Sequence, residues 1–368
     1  MHFRMNLKLR LKKSFDGFSL DVNLSVQEDL LVLFGPSGAG KSLILRMVSG
    51  IEMPDEGVVE IGGERVYDSE NNINLPVRSR RIGFLFQDYA LFPHMTVYGN
   101  IAYGINQLER SLIQKKVDDL IEVMRLSGLE NRYPHELSGG QKQRCALART
   151  MAIEPRVLLL DEPFSALDFQ VREKLRADLL RIHTLYPITT ILVTHDLEEA
   201  FMLGKKIAVI NNGRIEQAGP REEVFYRPRT RSVARFIGTR NIFDGTVVGL
   251  DGRLVTMQNK DIGLVKAFVT EGTGLQTGQD VSFCIRPEEV MIIRPDRPLD
   301  YRVHDNIIEG EIISIIGKGS TQIMFLRTGS GDTFLKIEIP NFVARKLSLD
   351  NGKRIRVSLK KESLWVIP

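Results

Sequence analysis

Eight consecutive residues, Gly35-Pro36-Ser37-Gly38-Ala39-Gly40-Lys41-Ser42, fit the pattern G-x-x-x-x-G-K-S/T. Glycines at those positions let backbone N–H groups curl round a phosphate, and a helix starting there turns its positive end to the same anion. Lys41 is placed to neutralise β- and γ-phosphates, and Ser42 to offer a hydroxyl to Mg²⁺. Downstream, Val157-Leu158-Leu159-Leu160-Asp161-Glu162 is an apolar run ending in two carboxylates. Beside a phosphate loop, Asp161 is the residue type that holds Mg²⁺, and Glu162 can polarise an attacking water as general base. Alone, such a pair is often a solvated strand end; with the phosphate loop, catalysis is the better reading. Leu137-Ser138-Gly139-Gly140-Gln141 opens another helical stretch and forms a second anion cradle. One nucleotide does not need two cradles in one chain. The pair therefore predicts a head-to-tail dimer in which each cradle serves a different nucleotide.

These groups need elements behind them. Residues 29–34 form a short apolar run that reads as a buried strand entering the loop, with a helix over 42–49. Residues 3–11 and 18–26 alternate as half-buried antiparallel strands do. Residues 57–61, 81–86, 156–160 and 189–194 read as strands; 108–129, 139–153 and 168–185 read as helices. The alternation predicts an α/β domain with a largely parallel sheet. Asn211-Asn212-Gly213 between two β-rich runs is the strongest hairpin signal. After about Ile237 helical periods give way to short β-rich runs, predicting an all-β domain. Within it Asn241-Ile-Phe-Asp-Gly-Thr-Val-Val recurs as Asn306-Ile-Ile-Glu-Gly-Glu-Ile-Ile, and a second segment from Gly278 recurs from Gly352. We read two related barrel-like units, 240–296 and 304–368.

Composition narrows the classes. Of 368 residues, 43% are hydrophobic and 26% charged, which is ordinary globular usage. A net charge of +4 is too mild to argue for nucleic acid. Cys145 and Cys284 sit in no CxxC or Cys/His cluster, so a disulfide scaffold or zinc site is not expected. The basic start lacks a following apolar stretch, which argues against a signal peptide, and no window approaches 18 apolar residues.

The phosphate loop (P-loop), L-S-G-G-Q, L-L-L-D-E-P and a later T-H-D, in this order, resemble the ABC ATPase family over about residues 5–238. The resemblance implies an α/β P-loop NTPase domain, 1–238, with a helical subdomain about 88–153. It also implies a homodimer holding two ATP molecules, each between the P-loop of one chain and Ser138, Gly139, Gly140 and Gln141 of the other. Gln87 falls where the family has a glutamine ligand to Mg²⁺ and water. Ser165-Ala166-Leu167-Asp168 matches the D-loop at the dimer interface, and His195 matches the switch histidine on the γ-phosphate. An aromatic residue stacks on adenine in the family; Phe15 is favoured here over Phe18, which starts an alternating strand.

The tail, 239–368, resembles the OB-like (TOBE/Mop-like) accessory domain of importer ATPases. Cys284-Ile-Arg-Pro-Glu matches its I-R-P-E element. The resemblance implies transmembrane permease subunits docking at the apolar, aromatic stretch 88–103, a solute-binding protein acting indirectly, and peripheral residence on the cytoplasmic face of the membrane. Residues 306–365 resemble the molybdate-binding barrel, so molybdate or tungstate is the expected cargo. Sulfate, thiosulfate, ferric ion, polyamine and sugar remain alternatives, and a non-transport ATPase is a further one. Thr239, Arg240, Lys360 and Ser363 are the expected oxyanion contacts.

Overall fold

The computed structural model describes residues 6–27, 29–165, 167–270, 272–294, 306–329 and 333–367. The chain divides into two compact units, Met1–Arg221 and Glu222–Pro368.

The first unit is built on one 11-stranded sheet. Its spatial order is β6 (Ile73–Asn74), β5 (Glu64–Asp68), β4 (Glu56–Ile61), β1 (Asn6–Phe15), β2 (Phe18–Gln27), β11 (Arg214–Pro220), β10 (Lys206–Asn211), β3 (Leu30–Phe34), β9 (Thr189–Thr194), β8 (Val157–Asp161) and β7 (Ile82–Leu85). The expectation of a largely parallel sheet needs correction. The run β10-β3-β9-β8-β7 is parallel throughout, whereas β6-β5-β4-β1-β2 is antiparallel throughout. The patterns explain the split. Strands β3, β8 and β9 are buried at every residue, as strands covered on both faces must be. Strands β1 and β2 alternate, and Leu7, Leu9 and Leu11 face inward with Leu20, Val22, Leu24 and Val26. The β10–β11 turn places Asn212 at φ 46° and Gly213 at φ 72°, the left-handed pair that a two-residue hairpin needs.

Helices lie between the strands: α1 (Lys41–Ser49), α2 (Val97–Ala102), α3 (Arg110–Val123), α4 (Gly139–Ala152), α5 (Phe169–Leu185) and α6 (Leu197–Leu203). Helix α1 buries Ile44, Leu45, Met47 and Val48 in the core shared by β1, β2, β3, β8 and β9. At about 2 kcal/mol per side chain, this burial anchors the helix that carries Lys41 and Ser42. It stops at Gly50, whose left-handed φ of 84° lets its N–H turn back to Met47 O.

Helix α7 (Arg221–Tyr226) begins at the last residue of the first unit, and α8 (Arg231–Phe236) and two five-stranded sheets follow in the second. One has the order β14 (Gly263–Phe268), β13 (Leu254–Asn259), β12 (Asn241–Asp251), β15 (Asp280–Ile285), β21 (Trp365–Ile367). The other runs β19 (Phe334–Pro340), β18 (Thr321–Thr328), β17 (Ile307–Lys318), β20 (Arg354–Leu359), β16 (Val290–Ile292). The repeat shows in the register. A bulge follows Val247 in β12 and Ile312 in β17, each six residues after its asparagine. Gly278 N–H donates to Val247 O, and Gly352 N–H to Ile312 O, both at 2.7 Å.

Neither sheet is made from one half alone, however. The last strand of each half is exchanged: β21 completes the first sheet and β16 the second. Two asparagines tie the exchange, Asn241 bonding both backbone groups of Lys336 and Asn306 both of Lys266. One core cluster takes side chains from both halves. One short helix, α9 (Asn341–Lys346), follows β19.

Candidate active site

Strand β3 delivers the chain into residues 35–40, and α1 takes it out. Gly35 is fixed by the sheet, since a Cβ there would sit 2.1 Å from Ile210 O on β10. Gly40 caps α1 with a left-handed φ of 98°, and a Cβ would meet Leu20 Cδ1 at 2.7 Å. Among the described residues no side chain caps this helix start. Its first N–H groups are left for another partner, which suits an anion. Lys41 is 5% exposed, and its Nζ donates to Gly35 O at 2.9 Å and Pro36 O at 2.8 Å. Burial pushes the Lys41 ammonium below its ordinary pKa, and the charges of Glu162 and Asp161 oppose that.

Ser42 Oγ donates to Asp161 Oδ1 at 2.7 Å, joining α1 to the end of β8. Burial raises the Asp161 pKa, with the Ser42 hydrogen bond pulling the other way. These two hard oxygens suit Mg²⁺, which takes oxygen ligands and retains waters. Glu162 follows at φ 44°, an uncommon conformation for a side chain of this kind. It is held by its N–H to Val193 O at 3.1 Å. That turn carries the carboxylate to His195, with Nδ1 3.1 Å from Glu162 Oε1. Gln87, two residues beyond β7, donates from Nε2 to Ser165 Oγ at 3.3 Å, and Ser165 Oγ donates to Glu162 O at 3.0 Å. Lys41, Ser42, Asp161, Glu162, His195 and Gln87 thus converge on the loops beyond adjacent parallel strands. The bridging role of Ser165 went unnoticed in the sequence.

Ser138 and Gln141 are engaged differently. Ser138 Oγ accepts from Gln141 N–H at 3.4 Å, and Gln141 Oε1 accepts from Ser138 N–H at 2.8 Å. This capping box satisfies two donors of α4 within the chain. Gly139 and Gly140 pack under Leu167 and Val171, where a Cβ would come within 3.0 and 2.8 Å of a side-chain carbon. Among the described residues no hydrogen bond joins this cradle to the P-loop of the same chain. Asp168 caps α5, its Oδ1 accepting from Val171 N–H at 3.0 Å. Phe15 is 47% exposed at the β1–β2 turn, while Phe18 packs on the core.

The oxyanion contacts expected in the tail do not converge. Thr239 and Ser363 line a cavity of about 570 Å³, but Arg240 and Lys360 are absent from its described lining. Four carboxylates, Glu222, Glu223, Glu289 and Glu362, share that cavity with Arg227 and Arg286. The Ser363 hydroxyl is already donated to Glu289 Oε2 at 2.8 Å. A small oxyanion would meet this negative charge.

Comparison with known proteins gives the family. An ABC transporter family model matches residues 19–165, and a TOBE domain model matches 283–367. The sulfate/thiosulfate import ATP-binding protein CysA of Bacillus cereus is 36% identical over 94% of this chain and 93% of its own length. CysA 2 of Agrobacterium fabrum is 44% identical over 69% of this chain and 75% of its own. The spermidine/putrescine import ATP-binding protein PotA of Marinobacter nauticus is 35% identical over 97% and 94%. Among solved structures, cbiO1 from Clostridium perfringens superposes with a TM-score of 0.55 at 28% identity, covering 63% of this chain and 94% of that one. The ATP-binding cassette MJ0796, a dimer in a post-hydrolysis state bound to ADP and Pi, gives 0.50 at 28%, covering 58% and 98%. This chain belongs to the ABC transporter family, as an ATPase cassette followed by a TOBE domain. The expected molybdate or tungstate cargo finds no support, since these relatives are named for sulfate, thiosulfate and polyamines.

Proposed function

We propose that this chain is the ATP-hydrolysing subunit of a bacterial-type importer whose cargo is sulfate or thiosulfate. The observation that carries the ATPase chemistry is the hydrogen-bonded cluster joining Ser42, Asp161, Glu162 and His195 beside the buried Lys41. The identity with the Bacillus cereus protein over nearly the whole chain supports the cargo.

Two chains face each other, and each ATP lies between residues 35–42 of one and Ser138–Gln141 of the other. Phe15 stacks on adenine. Lys41 and the α1 N-terminus hold the β- and γ-phosphates. Ser42, Asp161 and the Gln87 amide oxygen would hold Mg²⁺, which supplies positive charge against the phosphates. Glu162 orients a water in line with the γ-phosphorus and takes its proton. A bond forms from that water oxygen to phosphorus as the bond to the β-bridging oxygen breaks. His195 contacts the γ-phosphate, and its bond to Glu162 keeps it within reach of the same water. Asp168 and its neighbours sit at the dimer interface. ATP closes the dimer, hydrolysis opens it, and transmembrane permease subunits carried on the 88–103 surface follow, with a solute-binding protein delivering the cargo.

Within that surface Tyr89, Val97 and Ile101 are buried, and Tyr103 is half exposed. Arg149 holds it from below, donating to Tyr89 O and Ala90 O. No helix among the described residues is long and apolar enough to cross a membrane, and the chain resides at the cytoplasmic face through those permeases.

Uptake of labelled sulfate, spermidine and molybdate by cells expressing the chain with its permeases, against the Glu162→Gln variant, tests the assignment. Glu162-dependent sulfate uptake is expected. Spermidine uptake instead would favour the polyamine reading that the Marinobacter nauticus relative suggests.

A further inference from the structure

Thr194 and Asp196 bracket His195, and a buried ion network holds both. Thr194, 2% exposed, donates its hydroxyl to Glu199 Oε2 at 2.6 Å and accepts from Asp196 N–H at 3.0 Å. Asp196 Oδ1 caps α6 by accepting from Glu198 N–H at 2.8 Å and Glu199 N–H at 3.1 Å. Glu199 is 4% exposed, where an unpaired carboxylate would be costly. Arg176 of α5, 1% exposed, answers it, with Nη2 3.1 Å from Glu199 Oε1 and 3.4 Å from Asp196 Oδ2. Glu173 completes the pairing at 2.6 Å from Arg176 Nη1.

Arg172 lies one turn earlier on the same helix. Its Nη1 is 3.6 Å from Asp196 Oδ2, and its Nη2 donates to Leu167 O at 3.1 Å. Leu167 belongs to the 165–168 segment whose Ser165 bridges Gln87 and Glu162. One guanidinium therefore touches the segment assigned to the dimer interface and the loop that carries His195. A buried ion pair is a poor device for stability alone, because apolar residues of similar volume serve as well or better. Its use is geometric, fixing two loops in one register.

We propose that Arg172 and Arg176 are positioning residues for His195, coupling the 165–168 segment to the switch loop through Asp196, Glu199 and Thr194. This rests on the reading of His195 as the γ-phosphate contact. Both act through the loop and set where the imidazole stands.

The test is single-turnover ATP hydrolysis by the full-length chain in excess over nucleotide, with ATP affinity measured in parallel. Arg172→Gln and Thr194→Val should each slow hydrolysis about tenfold, with Kd for ATP within about twofold of the parent. Thr194→Ser keeps both hydrogen bonds of the hydroxyl and should recover most of the rate. In a His195→Ala background, Arg172→Gln should change the residual rate by less than about twofold, because residues acting through one group are not additive. Full additivity there, or a parental rate for Arg172→Gln, overturns the proposal. A parental rate for His195→Ala would instead overturn the reading of His195 itself. Arg172 is partly exposed, so its cycle decides the matter even where Thr194→Val fails to fold.

Discussion

The two glycine-bearing helix starts of the first unit make an instructive pair. Helix α1 opens at Gly40 in a left-handed conformation with no side chain on its amides, above a buried lysine. Helix α4 opens at Ser138 in an extended conformation, and a reciprocal Ser–Gln box already satisfies two of its amides. An uncapped start is tolerated only where water or a ligand completes it. The α1 start thus suits an anion. The α4 start is already capped within the chain. Similar composition therefore encodes two different states of readiness.

Five changes would break or sharpen this contrast. The largest effect belongs to Lys41→Ala, which should lower phosphate release at least about 10³-fold, because it removes the buried cation of residues 35–42. A loss below tenfold would remove the α1 loop from catalysis. Next comes Gly40→Ala, which puts a Cβ into a left-handed residue and against Leu20 Cδ1. It should cost about 2–3 kcal/mol in urea unfolding. Gly139→Ala meets only the tip of Leu167 and should cost under about 1 kcal/mol. Equal costs would erase the distinction between the two starts.

Ser138→Ala should destabilise the nucleotide-free chain by about 1 kcal/mol through loss of the cap. An unchanged melting curve would mean that the box does not hold α4. The smallest effect has the opposite sign. Burial raises the folded-state pKa of Asp161 above its unfolded value, so its ionised form costs stability at neutral pH. That cost fades as pH falls through the raised pKa. Asp161→Asn should therefore raise Tm of the nucleotide-free chain by roughly 2 °C at neutral pH. The advantage should shrink on acidification. A lower Tm at neutral pH would show that the Ser42 hydrogen bond outweighs burial.

Much of the candidate cluster was legible because a phosphate loop uses contiguous backbone. Residues 35–42 carry their own turn, and Leu158–Glu162 carry their own strand. The Asn212-Gly213 turn was legible for the same local reason. The Arg172–Asp196 and Arg176–Glu199 contacts span 24 and 23 residues in sequence, and no spacing rule connects one helix to the loop after another strand. Phe15 is favoured over Phe18 by the strand pattern alone; the structure adds that the core covers Phe18 and leaves Phe15 half exposed.

The second unit draws the line most clearly. Its sequence determined that two copies of one strand–turn pattern follow each other. It could not determine that the copies exchange their last strands. A period of two fixes which face of a strand is apolar, but the hydrogen-bonding edge is the same for every partner. Partner choice was decided only in three dimensions, where β16 and β21 each complete the other half's sheet over a common core and Asn241 and Asn306 pin the crossing backbones.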